Sequence, residues 1–138
     1  MKKLMMIVPF VIIAQQAIAI DTQTLENYKA EYAKQLQPLV MKKLSSDRPD
    51  LTAKAIRAEA DAYVAKMAKC QLEGMKQFPE QYQEKAILPV AEGQDVAITT
   101  QALNTTLKQD IDAGKISKDN VMTMIQNAQE TVQICLNT

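Results

Sequence analysis

The 138-residue chain has no histidine and no tryptophan, and only six other aromatic residues, four tyrosines and two phenylalanines. Without histidine, Ser-His-Asp and Cys-His catalytic groupings cannot be assembled. A Glu-x-x-His di-iron bundle, c-type haem attachment through C-x-x-C-H and zinc sites that need histidine are excluded by the same absence. Serine occurs only at Ser45, Ser46 and Ser117, and none begins an S-x-x-K sequence. Glycine occurs three times and cysteine twice. There is no excess of charge of either sign, 16 basic residues standing against 16 acidic ones. No basic stripe or block runs through the chain, which disfavours nucleic acid as a partner, because that affinity rests on neutralised phosphates.

What is present first is a leader-like start. In MKKLMMIVPFVIIAQQAIA, Lys2 and Lys3 precede an apolar run from Leu4 to Ala14, and Ala17 and Ala19 stand in the A-x-A arrangement that suits the shallow pockets of a signal peptidase. The run is 11 residues long, well short of the about 20 that span a bilayer core as a helix. The expectation is a secretory signal peptide over 1–19, cleaved after Ala19, and a single helical domain over 20–138 with no stable membrane insertion. Loss of Lys2 and Lys3 leaves 14 basic residues against 16 acids, a mature net charge of −2. Export to the periplasm or beyond makes the two cysteines legible. Exported compartments oxidise thiols, so Cys70 and Cys135 are expected to form one disulfide.

Apolar spacing is helical nearly throughout. A first helix is expected from about Thr22 to Leu44, capped by Asp21 and kinked or interrupted at Pro38. Ser45–Asp50 reads as a turn. A second helix is expected from about Leu51 to Met75, capped by Asp50, with a seam at Ile56, Ala60, Tyr63, Met67, Cys70 and Gly74. Pro79 opens a short helix through Tyr82, Ala86 and Ile87, which Pro89 breaks or kinks before a turn at Gly93. A fourth helix is expected from about Val96 to Ala113, ended by Gly114 in a left-handed conformation. The last begins at Ser117 as cap, with Ile116 and Val121 as a hydrophobic staple, and carries Val121, Met124, Ala128, Val132 and Cys135.

The fold class is therefore all-α. Both cysteines lie near the C-terminal ends of their helices, and a disulfide holds its Cα atoms within about 7 Å. If the two helices lie side by side, they run parallel. That predicts an up-down-up-down four-helix bundle with one short extra crossover helix over the Gln77–Gly93 region and one disulfide.

Candidate chemistry is sparse. Glu80 and Glu84 share a helix face, as a carboxylate-dependent hydrolase could use, but no aromatic sugar platform accompanies them. A calcium loop starting at Asp110 fails on spacing, with glycine at its fifth position and Val121 at its twelfth. The glycosylation triplet at Asn104 falls inside a predicted helix. The methionines read as core filling. No catalytic residue, cofactor or metal is expected. Phe78, Tyr82, Ile87, Pro89 and Val90 form the densest apolar group in an irregular region. They are the candidate partner-contact surface, with a lid over the bundle end as the alternative. The functional expectation is a small exported, non-enzymatic protein that binds another envelope or secreted protein, as an inhibitor or immunity-type protein or as a stress chaperone-type protein. A carrier holding a small apolar ligand between its helices is the second reading, and a small carboxylate hydrolase the third.

Overall fold

The structure, a computed structural model, describes residues 20–138; the leader expected over 1–19 lies outside the described residues. Five helices follow one another: α1 (Thr22–Asp47), α2 (Ala53–Met75), α3 (Glu80–Ala91), α4 (Val96–Asp112) and α5 (Lys118–Asn137). No strand is present among the described residues.

Local chemistry sets most helix ends. Asp21, Asp95 and Ser117 each accept a hydrogen bond from the backbone N–H three residues on, at 2.7, 2.9 and 3.1 Å, which satisfies one free donor of each first turn. Gly93 and Gly114 take φ of +92° and +72°, the left-handed region that glycine enters without Cβ strain. Threonines would weaken α4, yet Thr99, Thr100, Thr105 and Thr106 each donate their hydroxyl to the carbonyl four residues back. Their polar groups are thereby met inside the helix itself.

Three expectations change. Pro38 neither stops nor splits α1, which runs on three residues past Leu44. Pro38 is exposed, so water can reach the carbonyl that its missing N–H leaves free. Thr52, not Asp50, caps α2, accepting from the Ala55 N–H at 3.2 Å, while Leu51 is tied into a turn by Arg48. The buried stripe of α2 passes through Val64 and Ala68, where the seam was expected at Tyr63 and Met67. Ala60 and Ala68 are completely buried, whereas Tyr63 keeps 47% of its surface exposed. Small residues let α1 and α2 approach closely, so the larger neighbours flank the contact.

Specific pairings give the direction of each helix. Gln37 bonds Asp61, and Leu25 lies beside Leu72, so α2 runs antiparallel to α1. Ile87 lies beside Leu25, and Gln94 at the far end of α3 accepts from the Gln35 amide at 2.9 Å. Helix α3 therefore runs parallel to α1. Helix α4 returns: Val96 donates to Gln35 at 2.8 Å at one end, and Asp110 meets Tyr82 near the start of α3 at the other. Cys70 joins Cys135 with Cα atoms 5.5 Å apart, while Gly74, one turn later, abuts Val132 and Ala128. Going up α2 thus means going down α5, and those two helices are antiparallel.

The result corrects the expected bundle of four traversing helices. The five helices alternate in direction, and α3 is a short traverse of its own, packed along α1 and α4. The inference of parallel cysteine helices fails because α5 overlaps only the last third of α2, arriving from beyond its end. The most extensive contacts join α5 to α2, α2 to α1, α1 to α3 and α3 to α4. The helices form an arc, and its two ends, α4 and α5, face each other across a gap. Tyr28 and Tyr32, stacked with ring centroids 5.7 Å apart, join Ala68, Phe78, Tyr82, Ile87, Val90, Leu103, Leu107 and Val121 in one core.

Candidate functional site: the groove between α4 and α5

The gap at the ends of the arc is a groove of about 830 Å³. Its floor is apolar: Gly74, Phe78, Leu103 and Leu107 are buried there, and Met75, Ala128 and Val132 are half-buried. Helix α4 supplies one wall through Thr100, Leu103, Asn104 and Leu107; helix α5 supplies the other, from Ile125 to Leu136. The exposed rim is made of Thr100, Asn104, Gln126, Gln129 and Gln133, with one charged residue, Glu130, among them. Glu130 is the only charged residue of the sixteen that line the groove, against 23% charged residues in the whole chain. Depletion of charge over an apolar floor is the compositional mark of the centre of a protein interface.

Two fastenings hold the walls. The Cys70–Cys135 bridge ties the end of α5 to α2 beside Gln71 and Leu136. On the other side, the Tyr82 hydroxyl donates to Asp110 Oδ2 at 2.8 Å, pinning α4 to α3, and Lys115 Nζ lies 3.4 Å from the other carboxylate oxygen. The Tyr82 hydrogen bond, then Lys115 and Lys85, hold the Asp110 carboxyl below its ordinary value of 3.8, against a smaller opposing effect of burial. Burial first, and then Asp110, push the Tyr82 hydroxyl up.

The sign of the resulting pH dependence follows. A depressed carboxylate contributes stability above its unfolded pKa and loses it as pH falls through the folded value. Tyr82→Phe is expected to lower stability at pH 7 by about 1 kcal/mol, the typical net worth of one side-chain hydrogen bond. The gap between wild type and variant should shrink in acid below the ordinary carboxylate range. Thermal melts of both proteins at neutral and acidic pH test this; an equal gap at both would show that the charged form of Asp110 is not the acceptor that matters.

Of the residues expected to contact a partner, Phe78, Tyr82, Ile87 and Val90 are buried at 8, 1, 2 and 1% exposure, and Pro89 is half-buried. Phe78, Tyr82, Ile87 and Val90 belong to the core, and of the five only Phe78 reaches the groove, as part of its floor. Glu80 and Glu84 lie on an open surface with Pro79 and Gln81. Among the described residues, no group of three or more His, Cys, Asp or Glu side chains is placed to hold a metal ion, and no helix is long and apolar enough to cross a membrane. A second apolar patch lies on the hairpin of α1 and α2, where Leu39 is 64% exposed beside Tyr63, with Lys43, Asp47 and Glu59 around them.

Apart from Phe78, none of the groove residues is singled out as a site by the sequence, though one trace of them is there. From Val121 to Thr138 the chain carries a single charged residue, Glu130, an unusual stretch for a helix with an exposed side. Comparison with known protein families, characterised proteins and solved structures finds no match for this chain.

Proposed function

We propose that this is an exported, non-enzymatic helical protein that binds another protein through the groove between α4 and α5. One observation carries the reading: an open groove of about 830 Å³ with an apolar floor and one charge among its sixteen lining residues. Solvated helix faces are normally rich in Lys and Glu, because charged side chains are seldom buried. A face that lacks them and leaves the half-buried Met75, Ile125, Val132 and Leu136 within reach of water is better suited to being covered. The leader-like start and the disulfide together support an oxidising compartment outside the cytosol.

The partner is an envelope or secreted protein, bound by a folded groove as an inhibitor or immunity-type protein would bind it. The chaperone-type variant of the reading requires the apolar seams to open in acid. Circular dichroism at low pH with a client-aggregation assay separates the two. The carrier reading draws on the same apolar floor, but a small apolar ligand lying in an open trough would keep one side in water, whereas carrier sites enclose most of their ligand.

The test is capture by cross-linking from an envelope extract, using wild type and Ile125→Glu. Ile125 is a half-buried wall residue, and a charge there must be desolvated when the groove is covered. We expect one stoichiometric partner with wild type and a loss of about 100-fold in affinity with Ile125→Glu at an unchanged circular dichroism spectrum, as for an unpaired charge buried at an interface. Undiminished capture by the variant would remove the groove from the reading.

A further inference from the structure

We infer that the groove between α4 and α5 takes an amphipathic α-helix of two to three turns whose polar flanks are uncharged. This rests on the protein-binding reading above and names the chemistry of the partner. The first argument is backbone accounting. Both walls of the groove are helices whose backbone groups are bonded within them except in the last turn of α5, and no sheet edge is present among the described residues. An incoming segment therefore finds no ladder of main-chain partners. An extended segment would press unpaired N–H and C=O groups onto Phe78, Leu103 and Leu107, at a cost for each of the order of a lost hydrogen bond. A helix brings its backbone already satisfied and offers apolar side chains at i, i+3 or i+4 and i+7 to such a floor.

The second argument is fit. The wall of α5 runs from Ile125 to Leu136 and that of α4 from Thr100 to Leu107. At about 1.5 Å per residue these are roughly 16 and 10 Å long, or three and two turns. Helices α4 and α5 flank an unfilled position in the arc, so an added helix would complete the layer in the way the others pack, ridge against groove.

The third argument is charge. The rim amides of Gln126, Gln129, Gln133 and Asn104 both donate and accept, so they can meet amide or hydroxyl flanks on the incoming helix. The amides cannot neutralise an ammonium or a carboxylate; Glu130, exposed at one point of the rim, can answer a single cation but leaves further lysines of a charged flank unpaired, and a charge left unpaired at such a rim opposes binding.

The test uses synthetic peptides cyclised through their side chains so that they are helical before binding, since short free helices are marginal in water. Three carry one leucine stripe and differ only in flanks of Gln and Ser, of Glu, or of Lys; a fourth is the Gln and Ser peptide broken by a central proline. Anisotropy titrations with the oxidised protein should give the uncharged helix about a 10-fold tighter Kd than either charged helix or the proline peptide. Gln129→Lys should weaken the uncharged helix and make the Glu-flanked peptide the best binder. Equal binding of the helical and proline peptides would overturn the helix assignment. So would a charged peptide preferred by wild type. If no peptide binds while Ile125→Glu still abolishes partner capture, the helix is overturned and the protein-binding reading stands. If dodecanoate binds stoichiometrically in the groove and no peptide does, both fall. A concentration-dependent dimer in sedimentation, dispersed by Gln129→Lys, would make a second copy the occupant and overturn the flank chemistry proposed here.

Discussion

Cys135→Ala is expected to lower stability by about 4 kcal/mol and the melting temperature by roughly 15 °C, from the entropy of the loop that the bridge closes over a sequence separation of 65. The position of the bridge adds a local effect. Helix α5 rests chiefly on α2, and beyond Ala128 it has few apolar residues to hold it there: Val132, Cys135 and Leu136 are only half-buried, and Ile134 is 61% exposed. A terminal helix so lightly packed frays unless tied down. Hydrogen exchange should therefore show the amides from Thr131 to Asn137 losing protection in the variant well before those of α2 around Ala60 and Ala68. Cys70→Ala should cost more than Cys135→Ala, because Cys70 is completely buried and its removal also leaves unfilled space. Superimposable melts with and without reductant would show that the bridge does not form or does not hold α5. Because α5 is one wall of the groove, reduction should also weaken whatever binds there, so the competence of the site depends on the bridge.

The parts of this fold that local chemistry decides were readable in advance. The caps at Asp21 and Ser117, the turn at Gly93, the left-handed Gly114 and the pairing of the cysteines all depend on residues close in sequence or on a choice with one solution. The features set by three-dimensional packing were not. A proline costs about 3 kcal/mol or more inside a helix, so Pro38 and Pro89 read as kinks or breaks. Both helices continue because packing outweighs one lost hydrogen bond, α1 resting on α2 and α3, and α3 on α1 and α4. In α2 two apolar rows adjoin, Tyr63 and Met67 beside Val64 and Ala68. Apolarity alone cannot choose between them; the closeness of α1 does, by admitting the smaller pair. The direction of α5 is not legible in the cysteines, because a disulfide specifies where two chains touch and says nothing of the angle at which they continue. The groove inherits that difficulty. Its residues come from α2, the turn after it, α4 and α5, and become neighbours only once those directions are known.

Gly74→Val is expected to cost about 3 kcal/mol, and Gly74→Ala about 1 to 2, although alanine is the better helix former by about 1 kcal/mol. Glycine is otherwise a poor choice one residue from the end of a helix that shows no positive φ there. The reason for it lies across the interface. A Cβ on Gly74 would stand 2.7 Å from Val132 Cγ2 and 3.0 Å from the backbone oxygen of Ala128. Neither neighbour yields easily, since valine is held to few rotamers in a helix and the carbonyl oxygen belongs to the backbone of α5. The helix itself must move outward, and with it the groove wall that carries Ile125, Gln129 and Gln133. It would also draw Cys135 away from Cys70, which sits one turn from Gly74 on the same face of α2. Three measurements should then change together: melting temperature, the rate at which free thiols disappear on oxidative refolding, and affinity for the groove's partner. Val132→Ala removes the nearer of the two obstacles, so Gly74→Ala combined with it should be less destabilised than the two single losses predict, a coupling of about 1 kcal/mol. Strict additivity, or a Gly74→Ala protein more stable than wild type, would mean that α2 and α5 do not approach as closely as their contact at Gly74 requires, and that the wall opposite α4 is set by the disulfide alone.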